Sequence, residues 1–148
     1  MNAMDLIGTW TLEGANAKTS SGAELLPLGE APRGFLTYTL EGYMSAVLMR
    51  ADRPKFASGD FCGGTTNEIK QAFEGFDAYA GTCEFDEATS TVTQHATVAR
   101  FPNWEGTAQL HHAKLVDEII HLSTPPIKSS SDQWVASLRW GRGHGERL

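Results

Sequence analysis

Two side chains are placed where acid–base chemistry could occur. His95 lies mid-strand in the run Thr91–Ala99, flanked by Thr93 and Thr97, and Tyr38 ends an earlier apolar run. A histidine titrates near neutral pH, so an inward His95 beside Tyr38 could act as a general base or anchor a polar ligand group. Set against this is a histidine satisfied by a strand neighbour or water, with no chemical role. His111-His112 and His121 raise the question of a metal. Adjacent strand residues point to opposite faces, so His111 and His112 cannot share a small site, although His112 could face His121 across a hairpin. Two histidines without a third ligand make a poor site; a solvated histidine pair is expected and no metal. Gln109 shares the parity of His111 and is a candidate cavity donor. Asn103 and Trp104 lie in a link between strands, where they rim a ligand mouth or, with the Asn103 side chain, hold a turn. Arg50 and Arg53 could meet an acidic ligand, or pair at the surface with Asp52 or Asp60 for little energy.

These residues need a scaffold, and turn-forming clusters cut the chain into eight strand-like segments. They fall near 6–14, 34–39, 43–50, 79–86, 90–99, 106–115, 118–124 and 133–141. Short links between the later segments predict an all-β, antiparallel up-and-down barrel of eight strands in one domain over residues 1–148. Residues 1–4 carry no fold information; Met4 reads as the native start, after a cloning remnant. Residues 143–148 read as a frayed polar tail. Thr65 with Glu68 forms a capping-box pattern. Ile69, Phe73, Phe76 and Ala80 then recur at helical spacing, which predicts one helix over 65–78 packed on the barrel through that stripe. Residues 15–33 and 51–64 read as ordered lids.

Strand parity selects the lining. Leu6, Gly8, Trp10 and Leu12 share a face, as do Trp134, Ala136, Leu138 and Trp140, with Arg142 in phase. A three-residue loop at Leu40-Glu41-Gly42 brings Leu36, Tyr38, Met44, Ala46 and Leu48 inward. A two-residue loop at Glu41-Gly42 would instead bring in Tyr43, Ser45 and Val47 with Tyr38.

The net charge of −6 and pI near 5.3 argue against nucleic acid as a partner. No apolar run reaches membrane-spanning length, and no signal peptide is visible. Cys62 and Cys83 then read as reduced thiols, and the expected location is cytoplasmic. Phosphate-loop, dinucleotide and nucleophile-elbow motifs are missing, and no cofactor is expected.

Several stretches are similar to one family. Gly8-Thr9-Trp10 resembles the opening signature of lipocalin-type barrels. Pro27-Leu28-Gly29-Glu30, Pro32-Arg33-Gly34, Gly42-Tyr43-Met44-Ser45 and Leu48-Met49-Arg50 resemble the lipocalin-like domain family of bacteria and fungi. So do Asp52-Arg53-Pro54, Phe56-Ala57-Ser58-Gly59-Asp60, Phe101-Pro102-Asn103-Trp104 and Leu122-Ser123-Thr124-Pro125-Pro126. The likeness covers about residues 5–142. It implies a calycin-type barrel binding small hydrophobic molecules, with Arg142 lying over the Trp10 indole at a closed end. Two departures stand out: Cys83 replaces a usual aromatic, and Val116-Asp117-Glu118 lacks a usual glycine. The glycines of haem-binding nitrobindin-type barrels do not follow Trp10.

The leading expectation is binding of a small hydrophobic or amphipathic molecule by Trp10, Tyr38, Met44, Leu48, His95, Gln109 and Trp134, with Asn103 and Trp104 at the rim. The enzymatic alternative is an isomerase or cyclase for a polyketide- or terpenoid-like substrate, with His95 and Tyr38 as acid–base groups. A third reading is a homodimer formed through an exposed strand or the helix face.

Overall fold

The computed structural model describes residues 1–129 and 132–145. Its strands are β1 (Gly8–Thr19), β2 (Glu24–Leu25), β3 (Arg33–Tyr38), β4 (Tyr43–Met49), β5 (Phe76–Asp86), β6 (Thr91–Ala99), β7 (Thr107–Val116), β8 (Ile119–Ser123), β9 (Ile127–Ser129) and β10 (Asp132–Arg142). Eight of them, β1, β3–β8 and β10, close an antiparallel ring through the β1–β10 pairing, while β2 and β9 extend its rim. This is the all-β, up-and-down barrel that the turn spacing predicts.

Period-2 alternation builds the interior. β4 buries Met44, Ala46 and Leu48 and exposes Tyr43, Ser45 and Val47. The three-residue loop is the one adopted. Tyr38 pairs with Met44, the Thr39 amide donates to the Tyr43 carbonyl at 2.9 Å, and Gly42 supplies φ +84°. Two irregularities reset parity elsewhere. In β1 the register slips between Leu12 and Gly14, so Trp10 and Leu12 are followed inward by Ala17. Opposite Gly81 a residue of β6 is skipped, and a Cβ at Gly81 would run into the His95 carbonyl oxygen. Only glycine permits that approach.

One end of the barrel is closed. Arg142 stacks on Trp10, its guanidinium carbon 4.0 Å from the ring centroid, a contact of about 0.5–2 kcal/mol. Its Nη1 and Nη2 donate to the carbonyls of Ile7 and Asp5 at 3.0 and 3.1 Å. The Trp10 indole N–H donates to the Leu6 carbonyl at 2.8 Å. These acceptors belong to or adjoin α1 (Ala3–Leu6), a turn capped by Asn2 and tied by the Ala3 amide to Glu87. Residues near the N-terminus are thus part of the base.

Three expectations need correction. The helix, α2 (Thr66–Glu74), is shorter than 65–78, because Gly75 caps it and Phe76 and Ala80 belong to β5. Thr65 and Glu68 do form the reciprocal capping box. The stripe does not bury, however: Ile69 and Phe73 stay about half-exposed. Polar ties hold α2 instead, from Arg53 to the Ala72 carbonyl, from Arg100 to the Phe73 carbonyl, and from the Ala57 amide to Glu68. Arg100 also lies over the Phe73 ring at 4.1 Å. Secondly, residues 15–19 continue β1 rather than opening a lid. Thirdly, the tail is partly engaged, since the Gly143 amide donates to the Thr9 carbonyl; residues 146–148 lie outside the described ones.

Candidate functional site

Away from the base the barrel holds a cavity of about 230 Å³. Its wall is mostly apolar: Leu36, Ala46 and Leu48 from β3 and β4, Leu122 from β8, and Ala136 and Leu138 from β10. Trp140 forms part of the wall one inward position above Arg142, while Pro27, Leu28 and Trp104 from connections and the paired strand residues Ile127 and Trp134 approach at the far end. Trp104 is set by a 3₁₀ turn at Pro102–Trp104, whose Trp104 carbonyl accepts from Thr107 Oγ1 at 2.7 Å. Its indole packs edge-on to Tyr79 at 5.5 Å and to Phe101 at 5.9 Å.

The polar part of the wall is small and defined. Tyr79 Oη donates to Gln94 Oε1 at 2.7 Å, and Gln94 Nε2 donates to Tyr38 Oη at 2.6 Å. Gln94 is fully buried. Burial pushes both phenols well above the ordinary tyrosine range, and each is raised further by a neighbouring group, Tyr79 for Tyr38 and Asp77 for Tyr79. Both therefore stay protonated near neutral pH. His111 is buried at 7% exposure, and burial lowers its pKa to about 4, against the opposing pull of the Gln109 backbone and with His112 adding to the lowering. It is a neutral imidazole at physiological pH. Asp77 stands at the wall with its pKa raised by burial, against the opposing pull of Arg100, whose Nε lies 3.4 Å from Oδ1. Among the described residues, two buried atoms of wall residues, His111 Nδ1 and Trp140 Nε1, make no side-chain hydrogen bond of good geometry.

A blind apolar chamber inside an eight-stranded barrel suits one small ligand. A family model described as a lipocalin-like domain matches residues 7–143. The chain belongs to the lipocalin-like domain family. Among curated proteins this lipocalin-like chain is similar to the 4'-hydroxy-3'-methoxypropiophenone carrier protein ppsC of Aspergillus oryzae (strain ATCC 42149 / RIB 40). The two are 30% identical over 104 residues, covering 66% of this chain and 94% of the relative. No solved structure matches it.

Within the lipocalin-like barrel the sequence-predicted residues separate into three groups. Leu48, Trp104, Gln109 and Trp134 line the cavity. Trp10, Tyr38 and Met44 are buried in the core without lining it, and Gly8 lies in the base, where its φ of +126° carries the strand past the Arg142 side chain. His95 and Asn103 point elsewhere. His95 faces outward with its side chain 44% exposed, Nε2 3.8 Å from Glu84 Oε1. Val92, Gln94 and Ala96 are the inward face of β6. His95 and Tyr38 are thus on opposite sides of the sheet and cannot act together on one substrate. Asn103 is exposed, and the turn it occupies is held by the Trp104 carbonyl instead.

The histidine pair also divides differently from expectation. His111 is in the wall rather than solvated, His112 is exposed, and His112 pairs with Ser123 while His121 pairs with Lys114. No cluster of three metal-ligating side chains occurs among the described residues. Arg50 pairs bidentately with Asp52 at 2.9 and 3.0 Å. Arg53 lies over Phe76 at 5.2 Å. Neither lines the cavity.

Gln94, Tyr79, His111 and Asp77 are the site residues that sequence reasoning missed. The signal for Gln94 was present: Val92 and Ala96 are the apolar partners of its parity, so the inward face ran through 94 and not 95. Ala113 and Leu115, against Lys114, mark the inward parity of His111 in the same way.

Proposed function

We propose that this lipocalin-like chain binds and carries one small, mainly aromatic molecule in the barrel cavity. The cavity itself is the observation that carries this reading: about 230 Å³, apolar in most of its wall, and faced by three of the four tryptophans of the chain. That volume lies below the roughly 300–1,000 Å³ of drug-sized ligand pockets, and it favours a single-ring compound. The Aspergillus relative, named as a carrier of a substituted propiophenone, supports the same size and chemistry. Leu48, Trp104, Gln109 and Trp134, with Tyr79 and Gln94, are the proposed contacts. Trp10, Gly8 and Arg142 hold the base. The free thiols Cys62 and Cys83 fit a reducing, cytoplasmic setting. No helix among the described residues is long and apolar enough to cross a membrane.

Titration with propiophenone, followed by intrinsic tryptophan fluorescence, tests the reading. Saturable quenching is expected, because Trp104, Trp134 and Trp140 border the ligand. Quenching that rises without saturation, as for free tryptophan in solution, would overturn it.

A further inference from the structure

The wall of the cavity carries one formal charge. Among its described residues there is no Lys or Arg, His111 is held neutral by burial, and Asp77 is the single carboxylate. Strand pairing fixes where Asp77 points. Leu48 of β4 pairs with Asp77 of β5, and Ala46 pairs with Tyr79; residues paired in this way share a face of the sheet. Leu48 and Ala46 are buried and inward, so Asp77 and Tyr79 are inward too, and all four line the cavity. The Asp77 carboxylate stands close enough to Tyr79 to add to burial in raising its phenol. Gln94 is wholly buried and shared between two tyrosines, whereas the Asp77 side chain keeps accessible surface, at 22% exposure. Burial raises the Asp77 pKa, and Arg100 draws it back toward the ionised form. Arg100 Nε approaches Oδ1 at 3.4 Å, and the Ala78 amide lies beside the carboxylate. Oδ2 takes no side-chain donor among the described residues and is not sealed from water. An ionised carboxylate only accepts, so the group that Oδ2 lacks is a hydrogen-bond donor.

The kind of donor follows from Arg100. That guanidinium already balances the Asp77 charge, so a ligand ammonium would enter as a surplus cation and lose its hydration for little return. A ligand carboxylate would meet a like charge, with no cation in the wall to receive it. An uncharged hydroxyl leaves the ion pair balanced, and an O–H donor makes a short, charge-assisted bond to a carboxylate. The ring it is attached to fits the apolar remainder, where Trp104 stands edge-on to Tyr79. Building on the carrier reading, we propose that Asp77 is the specificity-determining anchor of the cavity, accepting at Oδ2 a hydrogen bond from the hydroxyl of an uncharged, single-ring phenol.

The test compares four probes by calorimetric titration at pH 7: 4-ethylphenol, 4-ethyltoluene, 4-ethylanisole and 4-ethylbenzylammonium. The toluene keeps the shape of the phenol without its hydroxyl, and the anisole keeps the oxygen without its hydrogen. The phenol is expected to bind at least about tenfold more tightly than each of the others, the effect of one charge-assisted hydrogen bond. Asp77→Ala and Asp77→Leu are each expected to bring phenol and toluene affinities to within about twofold of one another. A purely structural role for the pair with Arg100 would weaken all probes together and leave that ratio as in wild type. Thermal melts establish which variants fold; either folded variant suffices, and the wild-type series decides without them. Equal affinity for phenol and toluene, or anisole or ammonium binding as tight as that of the phenol, would overturn the anchor and leave the carrier reading intact. A phenol preference that persists in a folded variant would do the same. Failure of all four probes to bind would overturn the carrier reading and the anchor together.

Discussion

The base of this barrel and the cavity above it each hold a fully buried tryptophan, and they treat its indole N–H in opposite ways. At the base, Trp10 donates to Leu6, Arg142 covers the ring, and the same guanidinium is committed to the carbonyls of Ile7 and Asp5. At the cavity, Trp140 lines the chamber and its buried indole nitrogen has no hydrogen-bond partner. Satisfied polar groups around a packed ring make a structural plug; apolar walls around a void leave a chamber. Four positions separate Trp10 from Leu6, whereas Trp140 has only apolar residues opposite it, in Leu12 and Ile120. The local chain could close one indole and not the other.

Replacing each indole by a phenyl ring sharpens that contrast most. Trp10→Phe loses the bond to Leu6 and part of the arginine stack, and is expected to cost about 3 kcal/mol. Trp140→Phe gives up no hydrogen bond and is expected to cost about half as much, by urea denaturation of both variants. Equal costs would break the distinction between plug and site.

Acid titration is expected to give the next largest effect. His111 falls from an ordinary 6.5 when unfolded to about 4 when folded. Below pH 6.5 the unfolded chain takes up a proton that the folded chain refuses, so stability is full above that pH and declines as pH drops toward 4. The loss is on the order of 2–3 kcal/mol. His111→Leu is expected to flatten that part of the stability profile relative to wild type. Lowered surface carboxylates such as Asp52, Glu68 and Asp86 contribute equally to both proteins and cancel in the difference.

A smaller gain is expected at the closed end. The β7–β8 turn, lacking its usual glycine, holds Asp117 at φ +49° and Glu118 at φ +63°. Asp117→Gly is expected to stabilise the fold by up to about 1 kcal/mol, read as a rise in melting temperature, because glycine adopts that conformation without steric cost. Glu118 is the wrong residue to change, since its carboxylate lies 3.4 Å from Arg142. Smallest of all, His95→Ala is expected to shift stability by less than about 0.5 kcal/mol and to leave ligand affinity unchanged, as an outward residue that does not line the cavity should. A loss of ligand affinity would return His95 to the site.

The barrel was legible because strand periodicity and turn glycines are local signals. Tyr38 opposite Met44 follows from Gly42, and Arg142 near Trp10 follows from parity once the ends are known to pair. The lining was less legible for two physical reasons. Bulges at Glu13 in β1 and opposite Gly81 shift parity without any mark in composition, since they depend on how neighbouring strands align. Polar residues also stand on both faces of β6, so the eye is drawn to His95 when the buried group is Gln94. Helix α2 misled in another way: its spacing is genuinely amphipathic, but arginine ties, not burial of Ile69 and Phe73, hold it in place.

Filling the cavity tests the central claim most directly. Ala136 lines the chamber on β10, and Ala136→Leu places a larger side chain in its volume. Calorimetric titration with propiophenone is expected to give one site per wild-type chain. For the folded variant, affinity is expected to be at least about tenfold weaker, since the added bulk competes for the same space. Equal affinity and stoichiometry in the two proteins would mean that the ligand binds elsewhere, and that the barrel interior is not the container.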